Sequence, residues 1–293
     1  MAALSPDRRV LYSFLFACST QPAPAMPSVA GGPHAGGGER TLTLAGSSTV
    51  QPIMESAAAA WELAHPGDTV QVQGGGSGVG VSATTSGLAD IGMVSRSLKP
   101  SESALAATAI ARDGIALVVH ASNPLAGLSH AQVVGVYAGH TTSWRGLGGT
   151  DAPITVISKE SGRSTLELFE NHFGLKDQIV ASAIVIGPNG QAITTTAGDP
   201  HAISYVSIGS AAVAEQDGVP IKRLGLDGVA ATVGNVGNGS YPLCRPLNLV
   251  TKGEPVGFAA EFIRFVLSPE GQAIVATEDF IPLSVSPPVA SGL

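Results

Sequence analysis

The sequence predicts an α/β protein of two lobes, and three observations carry that expectation. From residue 41 onward, short strand-like runs alternate with helix-length segments, the pattern of strands handing over to helices in a largely parallel sheet. At Asn123-Pro124 the alternation stops and starts afresh, as it does where a chain enters a second lobe. Gly237-Asn238-Gly239-Ser240 then leads into a last strand and helix that return the chain to the first lobe. The expected division is lobe I over 41–121 plus 238–293 and lobe II over 122–237. A hinge of two segments then joins the lobes, with the ligand cleft between them at the strand ends.

Thr41 to Ala45 reads as the first strand. Pro52 to Ala64 follows as a helix, with proline in the first turn, where helices accept it, and His65-Pro66-Gly67 as its stop. A second strand covers Thr69 to Gln73, a short helix Val79 to Ser86 and a third strand Asp90 to Ser95, each joined through a turn rich in Gly, Ser or Thr. Glu102 to Thr108 reads as helical, and Gly114 to His120 as an apolar strand. In the second lobe the expectation is a helix over Ser129 to Tyr137, a strand over Ile154 to Ser158 and a helix over Ser164 to Phe173. Back in lobe I, a strand is expected over Leu247 to Val250 and a helix over Phe258 to Leu267. Trp61 is expected in the core, Trp144 either there or as a surface anchor, and Cys244 as a buried thiol.

Composition narrows the function classes. A chain of 293 residues with 44% hydrophobic residues has the material for a sizeable core. With a net charge of −7 and only 13% charged residues it offers no basic surface for nucleic acid. Aromatic residues make up 5%, so a small polar ligand is expected rather than one held by stacking. The two cysteines form no metal-ligand or CxxC pattern, the seven histidines are scattered, and no HExxH occurs, so neither a metal nor another cofactor is expected.

The N-terminus reads as a lipoprotein-type leader over 1–18. Arg8 and Arg9 supply the charged part, Val10 to Ala17 an apolar stretch too short to span a bilayer, and Leu15-Phe16-Ala17-Cys18 resembles the lipobox, in which the cysteine is lipidated. Residues 19–40, rich in Pro, Gly and Ala, read as a flexible tether.

Three turns stand out as places for chemistry: Gly46-Ser47-Ser48-Thr49, Gly74 to Gly78 (GGGSG), and Glu160 to Thr165 (ESGRST), each between a predicted strand and a predicted helix. Free amides at a helix N-terminus favour an anion, glycines let the backbone approach it, and hydroxyls add donors without bulk. Taken singly, each turn is better explained as a helix cap. Together, with Arg96 in Ser95-Arg96-Ser97 and Arg163 in the third turn as cations, they point to a tetrahedral oxyanion. Enzymatic loops do not fit: GxxxxGK(S/T), GxGxxG and GxSxG all fail, and no nucleophile and base are paired.

In this order, GSSTVQP at 46–52, GGGSGVG at 74–80, DIGMVSRSLKP at 90–100, SNPL at 122–125, VYAGHTTSWRGLGG at 136–149, YPLCRPLNLV at 241–250 and FIRFVLSPEGQAIV at 262–275, followed by FIPL, resemble the signatures of PstS-type phosphate-binding proteins. These are two-lobed type II periplasmic binding proteins, and the resemblance runs from Leu42 to Leu283. Carried over residue by residue, it implies phosphate contacts at Ser48, Thr49 and Val50, at Ser77, at Ser95 and Arg96, and at Arg163, Ser164 and Thr165. The third set departs from the family's usual Ser-Gly-Thr, and Lys159 stands where the family often has arginine. Some members use a carboxylate to accept the proton of hydrogen phosphate; Arg96 occupies that place here, with Asp90 and Glu160 as nearby acids.

The resemblance implies a monomeric, non-catalytic protein in the periplasm or at the cell surface, held by its lipid, that captures inorganic phosphate for the membrane permease of an ABC importer. The alternatives are a binding protein for another oxyanion such as sulfate or molybdate, a surface or adhesive protein outside transport, and a secreted phosphohydrolase.

Overall fold

The computed structural model describes residues 39–283; the expected leader with Cys18, nearly all of the tether, and residues 284–293 lie outside the described residues. β1 (Arg40–Gly46) buries Leu42 and Leu44 on one face, as its alternation predicts. α1 (Gln51–Ala64) carries Pro52 in its first turn and buries Ile53, Met54, Ala57, Ala58 and Trp61 at helical spacing. It returns the chain to β2 (Asp68–Gly74), parallel to β1 from Arg40↔Asp68 to Gly46↔Gly74. Trp61 lies in the core, donating its ring N–H to Asp68 at 3.0 Å and stacking on His65 at 3.8 Å. α2 (Ser77–Ser86) then leads to β3 (Ile91–Val94), parallel to β1 on its other edge and buried throughout.

The chain next departs from the sequence-based expectation. Instead of a helix over Glu102 to Thr108, a single 3₁₀ turn at Pro100–Glu102 opens into β4 (Leu105–His120), a strand of 16 residues. The alanines around Thr108 have helical propensity, but pairing with a partner strand and alternate burial outweigh it.

The second part comprises β5 (Gly127–Leu128), α3 (His130–Tyr137), β6 (Thr155–Lys159), α4 (Ser164–Phe173), β7 (Ile184–Ile186), α5 (Asn189–Gly198), β8 (Ala202–Ser207), α6 (Ile208–Gln216), β9 (Ile221–Leu226) and α7 (Val233–Gly237). The chain closes with β10 (Cys244–Lys252), α8 (Gly257–Val266), α9 (Pro269–Thr277) and β11 (Ile281–Pro282). Trp144 is buried, with its ring N–H on the His201 carbonyl at 3.0 Å. Cys244, by contrast, is exposed: it faces outward on β10, where Leu243, Arg245 and Leu247 face in.

All of this hangs on one sheet, in the order β2-β1-β3-β10-β4-β8-β6-β7, with β9 and β11 also on β4 and β5 on β9. The two ends of the order are parallel, as expected, but β10 and β4 run antiparallel to their neighbours at the centre. Two large apolar cores lie on this sheet, with a small third cluster of Val94, Leu105 and Val250. One gathers residues 42–111 and 247–280; the other gathers 115–243 with Ile281. The cores therefore change over between Ala111 and Ile115 on β4, and between Leu243 and Leu247 at the start of β10. At that double crossing Arg245 stands opposite Asp113 in the ladder.

Candidate functional site

The three Gly, Ser and Thr turns meet at one point between the two cores. Ser47, after β1, donates its hydroxyl to Ser95, after β3, at 2.8 Å. Ser77, the first residue of α2, donates to Ser164, the first residue of α4, at 3.0 Å. Ser95 lies 2.5 Å from Ser164 and 3.4 Å from Ser77, and its amide donates to the Ser77 hydroxyl at 3.0 Å. All four hydroxyls are buried. Their convergence follows from the topology: β1 and β3 run toward the second core and β6, in the opposite sense, runs toward the first, so their ends face each other where α2 and α4 begin. Gly80 brings α2 against the sheet: a Cβ there would lie 2.6 Å from the Met93 carbonyl and 3.0 Å from that of Ala45. At the mouth of the cleft the Gly78 amide donates to the Gly162 carbonyl at 3.0 Å.

The cation set among these hydroxyls is Arg245. It is 2% exposed and donates to Asp113 Oδ2 from Nε at 3.1 Å and from Nη2 at 2.8 Å. The same guanidinium donates to Thr165 at 3.0 Å, to Thr49 at 3.0 Å and to Ser164 at 3.5 Å. Asp113 Oδ1 accepts from Ser207 at 3.0 Å. Burial pushes the Asp113 carboxyl up, against the pull of the Arg245 charge. Thr49 also accepts from Asn189, at the start of α5, at 3.1 Å. Lys159, at the end of β6, is 4% exposed and donates its amine to the carbonyls of Gly187 at 3.3 Å and Pro188 at 3.1 Å.

The residues expected at the site are thus divided. Thr49, Ser77, Ser95, Ser164 and Thr165 join the cluster. Ser48 instead lines a neighbouring cavity of about 220 Å³ with Pro52, Asn189 and Phe280, and Val50 is a core side chain whose amide donates to the Ser47 carbonyl. Arg163 packs over Gly76 and pairs with Glu160 at 3.1 Å, at the rim. Arg96 turns away: its two Nη atoms bond Glu102 at 2.7 and 2.8 Å, and its Nε lies 3.1 Å from Glu167. Those bonds hold the Glu102 carboxyl below the ordinary carboxylate range. Of the acids considered as proton acceptors, Asp90 bonds Thr43 at the far end of β3 and Glu160 is engaged by Arg163.

Sequence reasoning missed Arg245, Asp113 and Asn189. For the first two a signal existed: Arg245 alternates with Leu243 and Leu247, and Asp113 with Ala111 and Ile115. An acid and a base on the inward faces of apolar strands are costly to bury unless paired. Among the described residues, no group of three or more His, Cys, Asp or Glu could hold a metal ion.

Two cores on a shared sheet, with a polar, cationic cluster between them at the strand ends, define the class of two-lobed solute-binding proteins. The family model of the PBP superfamily domain matches residues 31–270. The phosphate-binding protein PstS of Bacillus subtilis is 30% identical over 250 residues, covering 83% of this chain and 81% of the relative. The crystal structure of a protein described as a phosphate ABC transporter substrate-binding protein with bound phosphate, from Clostridium perfringens, aligns with a TM-score of 0.78 at 35% identity, covering 83% of this chain and all of that one. An ABC-type phosphate transport receptor from Vibrio cholerae aligns with a TM-score of 0.67 at 30% identity, again over 83% of this chain and all of that one. The chain belongs to the PBP superfamily and, within it, to the family of PstS phosphate-binding proteins.

Proposed function

We propose that the protein captures inorganic phosphate in the cluster of Ser47, Ser77, Ser95, Ser164, Thr165, Thr49 and Arg245, and presents it to the permease of an ABC importer. The observation that carries this reading is the meeting of three helix-opening turns around one buried arginine. Hydroxyls now bonded to one another can turn toward an anion, since each rotates freely about its C–O bond. Arg245 is pre-aimed by Asp113, and the openings of α2 and α4 add amides and dipole from the two facing sides of the cluster. The capture is non-catalytic in this reading.

The double crossing of β4 and β10 serves as the hinge in this reading, with the lobes dividing near Asp113 and Leu243 rather than at 121 and 237. The ladder of β10 on β4 shifts register between Leu247 and Asn248, a local irregularity beside the crossing that lets the strands bend. The role is extracytoplasmic, with Cys18 as the lipid anchor and the protein acting as a monomer. No helix among the described residues is long and apolar enough to cross a membrane.

A second reading, another oxyanion such as sulfate, is favoured by one observation: among the described residues no carboxylate hydrogen-bonds the serine cluster, and both Asp113 oxygens are engaged elsewhere. Calorimetric titration with phosphate and then sulfate separates the two. Saturable phosphate binding at micromolar concentration, about 8 kcal/mol, without a sulfate response is expected; an equal response to both anions contradicts phosphate specificity.

A further inference from the structure

Lys159 is the buried cation that the capture reading leaves unexplained. It lies at the end of β6, one turn ahead of Ser164 and Thr165, and its amine meets two carbonyls and no carboxylate. Among the described residues it forms no ion pair. A charged amine has three N–H groups, and the carbonyls of Gly187 and Pro188 take two. The charged and titratable groups facing it are Glu160 and Arg163 on its own turn, Arg245 from β10 backed by Asp113 from β4, and the Tyr205 hydroxyl of β8, which accepts from the Lys159 amide at 3.3 Å. From the α5 side it meets only backbone, and the next residue there, Asn189, reaches Thr49 beside Arg245. The amine is therefore tied through one short loop to the anion cluster, in company that is mainly cationic.

We propose that anion capture is coupled to uptake of one proton at the Lys159 amine, so that this residue is charged fully only when the anion is seated. The proposal rests on phosphate binding at the cluster described above. Burial first, then the charges of Arg163 and Arg245, lower the Lys159 pKa to about 7, with Glu160 opposing. A seated anion reverses the balance of charge and raises it. The sign follows by linkage: the bound form holds the proton more tightly, so affinity is greatest below the free value. Affinity then falls as pH rises above about 7, by up to about tenfold per pH unit until the bound value is reached. No bond other than N–H forms, and the proton comes from solvent.

The test is calorimetry with phosphate at about pH 8.5, where phosphate is almost wholly the dianion, in buffers of different ionisation enthalpy. The heat then reports protons taken up per anion. The wild type is expected to take up close to one, and Lys159→Arg, whose charge does not titrate, close to none. Phosphate binding without proton uptake, or uptake unchanged in Lys159→Arg, overturns the proposal while leaving the capture reading intact; no phosphate binding by the wild type overturns both. Should the variant not fold, the Lys159 side-chain NMR titration of the wild type decides. A midpoint near neutrality that moves upward on phosphate addition supports the coupling, and an ordinary lysine midpoint in both states overturns it.

Discussion

A guanidinium buried beside a carboxylate is a demanding arrangement, and Arg245 shows how this protein satisfies it. Its five N–H groups are shared among Asp113, Thr49, Thr165 and Ser164, so the charge is both neutralised and hydrogen-bonded. Arg245→Ala strands the Asp113 carboxylate away from water and is expected to destabilise the fold by about 3–5 kcal/mol. Urea unfolding measures this, and Arg245→Ala with Asp113→Leu should recover a large part of the loss. The same change should reduce phosphate affinity more than Arg96→Ala, because Arg96 is held by Glu102 and Glu167 outside the cluster. Motif position pointed to Arg96, since a motif conveys which residues are adjacent in sequence but not which way a side chain leaves the strand. The alternation of β10 conveyed the direction, and there Arg245 reads as an inward charge between two leucines.

At the scale of elements, the site is a product of strand ends and helix openings, and most of these were legible. β1, α1, β2, α2 and β3 fall close to where alternation, Pro52 and the glycine turns put them. β4 was misread in its first half because alanine favours helix in isolation, while the ladder with β10 exists only in the folded chain. The elements from β7 to α7 passed unread: β7 has three residues and α7 five, too few to show a period, and β8 is buried on both faces and so does not alternate. The seating of α2 shows how closely element packing controls the site. Gly80→Ala places a methyl group against two backbone carbonyls that cannot move without the sheet. It should cost about 1–3 kcal/mol despite alanine's better helix propensity, and by displacing α2 it should weaken phosphate binding through Ser77. Thermal unfolding and titration of the same sample check both effects.

At the scale of the whole molecule, the contacts between the two sides of the cleft set how long an anion stays. Apart from the hydroxyl cluster, Glu167 of α4 receives Lys99 at 2.9 Å and Arg96 at 3.1 Å, both from the segment after β3. This link spans the cleft without entering the anion cluster. Glu167→Gln should loosen the closed form and raise the phosphate Kd by about two- to fivefold, as partly exposed pairs contribute about 0.2–1 kcal/mol. The wild type's own affinity should drop with added salt, and the variant's should drop less. Stopped-flow release of phosphate distinguishes a faster off-rate, which is expected, from a slower on-rate.

The most direct measurement is a crystal structure of residues 39–283 with phosphate. One phosphate is expected between the two cores, with oxygens within hydrogen-bond distance of the Arg245 guanidinium and of the Ser77 and Ser164 hydroxyls, whose mutual bonds are replaced. Phosphate held at Arg96, with the serine hydroxyls still bonded to one another, would contradict this placement.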